Sequence, residues 1–458
     1  MGTKRESASQ QGELNQVHKM AWWKAYIYDL IGAEISSTSR YYDNLAQYLP
    51  MKHDDGYLLE KIDSPQKVRV ENPDHLPDFS QDLSKRSMLL LNGNFNYSSN
   101  LQELLAELKP KLSRTSRLAV VAYNPYLSWL YRLANFMRVR KAELPKIFLS
   151  TTDLDNLCKL SGFEVVRLRL VGYFPFRILG LGTLINRIMP VVPILRWIGY
   201  ACIVILRPVI PESAKPSLTI VIPARNERGN IEDALRRIPG LDGARTEVVF
   251  VEGHSIDGTW EEIQRVLPLY RDRFQLSAYR QTGKGKNDAV RLGFSKASCD
   301  LVTILDADLT VPPERLELFY RGYCDGLGDF VNGNRLVYRM EGEAMRFLNT
   351  LGNVFFAKSL KHVLGLKIGD ALCGTKLFPR HDYSRIVAWR KDFGDFDPFG
   401  DFEMLFSVSE LSLGVIDVPI PYGARTYGST NISRFRDGLQ LLRMTFIGLF
   451  RIRLGKAP

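Results

Sequence analysis

Cysteine is scarce in this chain, five in 458 residues, and no two are spaced as C-x-x-C. Cys158, Cys202, Cys299, Cys324 and Cys373 are scattered and odd in number, which argues against a disulfide framework or a zinc site and for a reducing compartment. Long hydrophobic runs are missing too. The longest, WIGYACIVIL from Trp197 to Leu206, lies between Arg196 and Arg207. It is about half what a bilayer crossing needs and reads as a buried strand. The opening MGTKRESASQQGELNQ has no apolar core of a signal peptide, and Ser7 stands one position past the myristoylation pattern. A cytoplasmic location follows as the expectation. No repeat, low-complexity tract, helix-turn-helix, zinc motif or aromatic sheet motif is present, so nucleic acid is not the expected partner.

What the chain does have is positive charge, +11 with a pI near 9.3, which favours an anionic partner. At 45% apolar and 24% charged residues it has the composition of a soluble globular protein with a sizeable core. Its length suggests more than one unit.

The first 86 or so residues give weak signals: a helix around HKMAWWKAYIYDLIGAEI, then a polar region. From Ser87 strands and helices alternate: MLLLNG, NLQELLAELKPKL, RLAVVAY, STTDLDNLCKLSGF ending at Gly162, and EVVRLRLVG. RPVIPESAKPSLTI reads as a linker. The expected partition is 1–212, an α/β domain; 213–430, a second α/β domain; and 431–458, a basic amphipathic helix. Within the second unit SLTIVIPARNERGNIEDALRRI, EVVFVEGHSIDGTWEEIQRVL (Thr259 and Glu262 spaced as a capping box) and KGKNDAVRLGFSKA leading into LVTILDADL make three strand-to-helix steps. They imply a doubly wound, mostly parallel sheet with its ligand site beyond the carboxyl ends of the strands.

Four acids fall at those ends: Glu227, Glu252, Asp306 and Asp308. Such a cluster repels itself unless cations sit among it. Asp306 and Asp308, as D-x-D with no histidine or thiolate nearby, suit Mg²⁺ or Mn²⁺, which commonly bridge a protein to substrate phosphates. The plainer reading is that these aspartates only end a strand ahead of a helix whose first turn takes Pro312 and Pro313. QTGKGKNDA offers Lys284 and Lys286, tight turns at Gly283 and Gly285, and a helix N-terminus, a fit for a diphosphate; the plain alternative is a solvated basic loop. It lacks the Walker spacing.

These segments, with IPARNERGNI, VEGHSIDGT, ILDADLTVPPERL, DALCGTKLF, FGDFEMLF and VPIPYGARTYGSTNI, resemble in order the family 2 glycosyltransferases of GT-A fold, especially the dolichyl-phosphate-mannose-synthase-like branch. The resemblance implies a UDP- or GDP-linked sugar donor, a divalent metal on Asp306 and Asp308, and an inverting transfer. Donor contacts would come from Pro223, Asn226, Glu227, Glu252, Lys284, Lys286, Asp306 and Arg425. The acceptor would be a lipid phosphate or a glycan. Asp401, Glu403 and Asp370 are the candidate bases if the acceptor is a hydroxyl; helix capping is the alternative for the first two, and an ionised phosphate acceptor needs no base. His254 reads as a loop residue. Departures from the branch are Glu252-Gly253-His254 with one acid lost, Asn431 in a lysine position, and Lys376 where arginine is usual.

The first half resembles the back portion of a class I S-adenosylmethionine-dependent methyltransferase, a partial Rossmann-like unit without the glycine-rich cofactor loop. Asp63 in EKIDSPQKV stands nearest the position of its ribose-binding acid. A noncatalytic domain for scaffolding or acceptor presentation is expected. The C-terminal RFRDGLQLLRMTFIGLFRIRLGKAP, with Arg434, Arg436, Arg443, Arg451 and Arg453, would either lie on an anionic membrane surface or dock on the core. The function expected is metal-dependent glycosyl transfer; the alternative is a noncatalytic nucleotide-sugar-binding or scaffold protein. A nucleotidyltransferase is disfavoured because PARNE stands where its glycine-rich loop would be.

Overall fold

The computed structural model describes residues 22–52, 54–81, 85–138, 143–338, 347–425, 427–428 and 434–454. The polar opening stretch and Asn431 lie outside the described residues. Six strands build the first sheet: β1 (Asn44–Tyr48), β2 (Gln66–Val70), β3 (Ser87–Asn92), β4 (Arg117–Tyr123), β5 (Phe163–Val171) and β6 (Ala201–Pro208). Their order is β2-β1-β3-β4-β6-β5. The first four run parallel, and β6 enters antiparallel between β4 and β5. Met88 to Leu91 and Leu118 to Val120 are buried because helices or loops cover both faces, which explains their unbroken apolar runs.

The apolar run expected as one strand from Trp197 to Leu206 divides. Leu195–Trp197 is a 3₁₀ turn, and the strand begins only at Ala201. β1 was not foreseen; its NLAQY carries a fully buried Gln47 whose amide donates to Asp54. Asp54 also accepts from Asn92 and the Gly56 amide, so the turn that follows β1 is drawn onto the end of β3. Asp63 precedes β2, where its carbonyl accepts from Ser39; the acid that follows β2 is the exposed Glu71.

The second sheet comprises β7 (Leu218–Ala224), β8 (Thr246–Glu252), β9 (Gln275–Arg280), β10 (Leu301–Ile304), β11 (Phe330–Asn334), β12 (Lys376–Pro379) and β13 (Val415–Pro419). Its order is β13-β11-β12-β10-β7-β8-β9, parallel except for β12. The expected doubly wound, mostly parallel sheet is therefore present. The chain winds outward from β7 through β8 to β9 and then returns to the other side of β7 with β10. That reversal opens a crevice at the carboxyl ends of β7 and β10.

Charge joins the two sheets. Arg117 of β4 and Arg207 of β6 reach across to Asp329, at 2.6 and 3.5 Å, and Arg114 lies 3.8 Å from it. The Gly414 amide donates to the same carboxylate at 2.8 Å. Arg114 also stacks over Tyr323 and donates to the carbonyls of Tyr323 and Gly328. The terminal helix Arg434–Gly448 and the turn Leu449–Leu454 dock on the second unit through buried Met444 and Ile452, while Leu439, Phe446 and Phe450 stay exposed. Among the described residues no helix is long and apolar enough to cross a membrane. All five cysteines are free thiols.

Candidate active site

β7 delivers half-buried Pro223 and then Asn226, whose positive φ of 56° turns the chain so that Glu227 points back over the sheet. Asn226 is fixed on both sides: its amide donates to Ser255 Oγ, and its side-chain oxygen accepts from the Ile256 amide. Buried Glu252, the last residue of β8, accepts from the Ser255 amide at 2.5 Å and lies 3.8 Å from Arg280. His254 has a φ of 58° and its Nε2 is 3.0 Å from the Gly283 carbonyl, so it ties two loops together. The expected capping box at Thr259 is absent. Gly258 holds the N-cap, and Asp257 takes the Thr259 amide and hydroxyl instead, leaving Thr259 Oγ1 to receive the Glu227 amide.

The rim acids are neutralised by the protein's own cations. Lys286, first residue of the helix Lys286–Lys296, stands 2.5 Å from Asp306. Arg425 bridges two carboxylates from different strands, Glu227 at 3.1 Å and Asp308 at 2.6 Å. The other Asp308 oxygen accepts from the Thr310 amide and hydroxyl. Lys284 is exposed at the turn before the helix. Gly374 closes the floor; a Cβ there would come within 2.3 Å of Lys286 Nζ and 2.4 Å of Asp306 Oδ2. Burial works against the Asp306 charge, but Lys286, supported by Lys376 and Arg335, outweighs it and holds the carboxyl below its usual range. Burial likewise disfavours the Lys286 ammonium, and Asp306 more than restores it.

Glu227 behaves differently. Burial pushes it up to about 7 despite Asn230 and Arg425. Because its folded value exceeds its unfolded one, it contributes stability that is complete below about pH 4.5 and is lost as pH rises through about 7. Glu227→Gln is therefore expected to gain melting temperature relative to the parent across that window, by a few degrees, and to hold a constant difference above it. Paired thermal melts from pH 4 to 8 (about the carboxylate range) check this; parallel curves would show the shift to be absent.

Two of the three candidate bases are held in ion pairs by their surroundings. Asp370 is fully buried and saturated: it accepts from Arg335 at 2.7 and 3.0 Å, and from the amides of Arg335 and Leu372. Burial opposes its charge, yet Arg335 keeps it below the usual range, so it holds Arg335 in a clamp. Glu403 is buried between Arg390, at 2.8 Å, and Arg291. Asp401 opens the helix Asp401–Glu410 and accepts from Lys376 at 2.7 Å; Gly400 is the N-cap and makes no side-chain bond. Lys376, in its departure from the branch pattern, is itself fully buried and also donates to the Cys373 carbonyl. Asp401 and Lys376 thus extend the alternation of charge that starts at Asp306 and Lys286. Sequence reasoning missed Asp397, pushed up to about 6 by burial, which receives the Glu403 and Phe399 amides. It also missed Asp257, which accepts from Tyr427 at 3.2 Å.

Among the described residues no three His, Cys, Asp or Glu side chains are arranged to surround a cation. The repulsion that called for a metal is met by Lys286 and Arg425. Asp306 and Asp308 still suit a hard ion as two oxygen ligands, because Mg²⁺ and Mn²⁺ usually take one or two carboxylates and complete their shell with water and substrate phosphate.

Residues 219–387 match the family model described as Glycosyl transferase family 2. A dolichol-phosphate mannosyltransferase of Pyrococcus furiosus is 28% identical over 229 residues, 47% of this chain and 59% of that protein. A dolichyl-phosphate hexose transferase of Haloferax volcanii is 28% identical over 221 residues, 48% of this chain and 89% of that one. A solved mannosyltransferase of Pyrobaculum calidifontis, in complex with GDP-Man and Mn²⁺, is similar at a TM-score of 0.37 and 21% identity, covering 53% of this chain and 67% of its own. The chain spans 59% of the length of the Pyrococcus relative, and its first half lies outside the family match. The enzyme class expected from the sequence agrees with these relatives.

Proposed function

We propose that the protein moves a sugar from a nucleoside-diphosphate donor to a lipid-linked phosphate. The carrying observation is the rim itself: Lys286 on Asp306, and Arg425 across Glu227 and Asp308, at the switch of a parallel sheet. Lys286 and the first amides of its helix would take the donor diphosphate. Glu227, Glu252, Asn226 and Pro223 would contact its nucleoside, and Lys284 would close over it from the exposed turn. Asp306 and Asp308 would hold Mg²⁺ or Mn²⁺, which supplies charge neutralisation of the diphosphate.

An acceptor phosphate oxygen forms the new bond to the anomeric carbon as the bond to the diphosphate oxygen breaks, a single displacement that inverts the centre. Negative charge grows on the leaving diphosphate, which Lys286 and Arg425 would stabilise. An ionised phosphate needs no proton acceptor, which accords with Asp370 and Glu403 being tied in salt bridges. The dolichyl-phosphate relatives support a lipid-linked acceptor. Such an acceptor would bring the protein to a membrane surface, where exposed Phe446 and Phe450 offer apolar contact.

The proposed partition is 1–212, 213–430 and 431–458. For the first unit, with strand order β2-β1-β3-β4-β6-β5, a methyltransferase-like ancestry is the proposed reading. A noncatalytic, scaffolding role for this unit is part of the same proposal. The test is transfer of label from radiolabelled UDP- and GDP-sugars to polyprenyl phosphate in detergent with Mn²⁺. Label is expected in the organic phase with at least one donor; label that stays aqueous with all of them would contradict the reading.

A further inference from the structure

The seam between edge strand β5, the helix Trp22–Ser39 and the helix Phe347–Leu364 holds a cavity of about 490 Å³. It shares no residue with the rim described above. Its lining is dominated by one sign: Arg167, Arg169, Arg196 and Arg453, with exposed Lys358 and Lys361, against Glu34. The sequence EVVRLRLVG explains why. A bulge between Val165 and Arg167 shifts the register of β5, and beyond it Arg167 and Arg169 share one face.

Both arginines are only 7% exposed. Arg167 donates to Thr38, Ser37 and Glu34, but its Nε has no hydrogen-bond partner. Arg169 gives only Nη1, to the Ile452 carbonyl at 3.3 Å. Among the described residues its Nη2 has no partner, and its Nε makes no hydrogen bond, lying 3.5 Å from Glu34 as a loose ion pair. Arg453 gives Nε and Nη2 to the neutral carbonyls of Val363 and His362. Among the described residues Glu34 pairs with Arg167 and Arg169, and Glu410 lies 3.9 Å from Arg167. Burial, with repulsion from Arg169 and Arg167, pushes Arg453 down to about 9. Buried cationic donors left unused are costly, and an entering anion removes that cost.

We propose that this cavity binds a phosphate-bearing anion, with Arg169 as its central donor. The idle edge of the Arg169 guanidinium presents paired N–H groups of the geometry that phosphate oxygens accept. Tyr173 and Trp197 line the same cavity and supply an apolar wall for whatever carries the phosphate. Since β5 belongs to the first sheet and Arg453 to the segment docked on the second, the ligand would bind both halves at once. The proposal requires nothing of the sugar-transfer reading.

Calorimetric titration of the full chain with inorganic phosphate, alongside co-sedimentation with phosphatidic acid and with phosphatidylcholine vesicles, tests it. Saturable phosphate binding weakened at least about tenfold by Arg169→Gln, a loss of about 1.4 kcal/mol, is expected. If phosphatidic acid vesicles bind, free phosphate does not, and Arg169→Gln weakens the vesicle binding equally, the same site is supported with a lipid headgroup as its source. Should Arg169→Gln fail to fold by circular dichroism, Lys361→Ala, exposed on its helix, is expected to weaken the same binding. Binding that neither variant changes, binding lost in Lys286→Ala instead, or none with any of these probes would overturn the proposal.

Discussion

Lys286→Ala is expected to lower kcat for the proposed sugar transfer about 10²–10³-fold, the usual effect of removing one preplaced charge from where a leaving group develops its own. Two features make Lys286 costly to lose. It begins a helix, so its ammonium and the first free amides act on one anion, and it is the cation 2.5 Å from Asp306. Alanine leaves Asp306 as a charge with only the more distant Lys376 and Arg335 to favour it. Steady-state rates and far-UV circular dichroism on the same sample separate the chemistry from folding: native dichroism with kcat within about threefold of the parent would mean that Lys286 does not face the leaving group.

Asp329→Ala is expected to destabilise the folded chain by about 3–5 kcal/mol, because removing one side of a buried ion pair strands the other. Here Arg117 loses the carboxylate it pairs with, while Arg207 keeps Glu164 at 2.6 Å and Arg114 keeps Glu212 at 3.1 Å. Arg117 is 1% exposed at its side chain and Arg207 equally so, and neither can turn outward to water. The Gly414 amide loses its acceptor as well. Against a typical total of about 5–15 kcal/mol this is a large share. Urea denaturation followed by tryptophan fluorescence checks it. A cost under about 1 kcal/mol would show that the two sheets are joined by apolar contact instead.

Strands β7, β8 and β10 were legible because central parallel strands are buried on both faces and therefore spell continuous apolar runs, LTIVI, EVVFV and LVTIL. Where they end is where polar residues begin, and that alone puts Glu227, Glu252, Asp306 and Asp308 on one rim. β1 escaped for the converse reason. The side-chain amide of its buried Gln47 donates to Asp54, a tertiary bond that no local pattern announces. Likewise WIGYACIVIL is uniformly apolar, and only the packing of Trp197 in a turn splits it.

Partners separated by long stretches of chain were the least legible part of the site. Nothing near Arg425 indicates that it spans Glu227 and Asp308, 198 and 117 residues away. Nothing near Asp370 shows that Arg335 consumes it. A carboxylate in a motif was read as available, whereas availability depends on which cation the fold brings against it.

The account rests on the rim gripping a diphosphate through Asp308 and its neighbours. The direct measurement is a panel of UDP- and GDP-sugars added with Mn²⁺ to the parent chain and to Asp308→Ala, read as melting temperature. At least one sugar nucleotide is predicted to stabilise the parent, by about 2.7 kcal/mol at a hundredfold excess over Kd, and to leave Asp308→Ala unmoved. No shift with any donor, or an equal shift in both proteins, would contradict it.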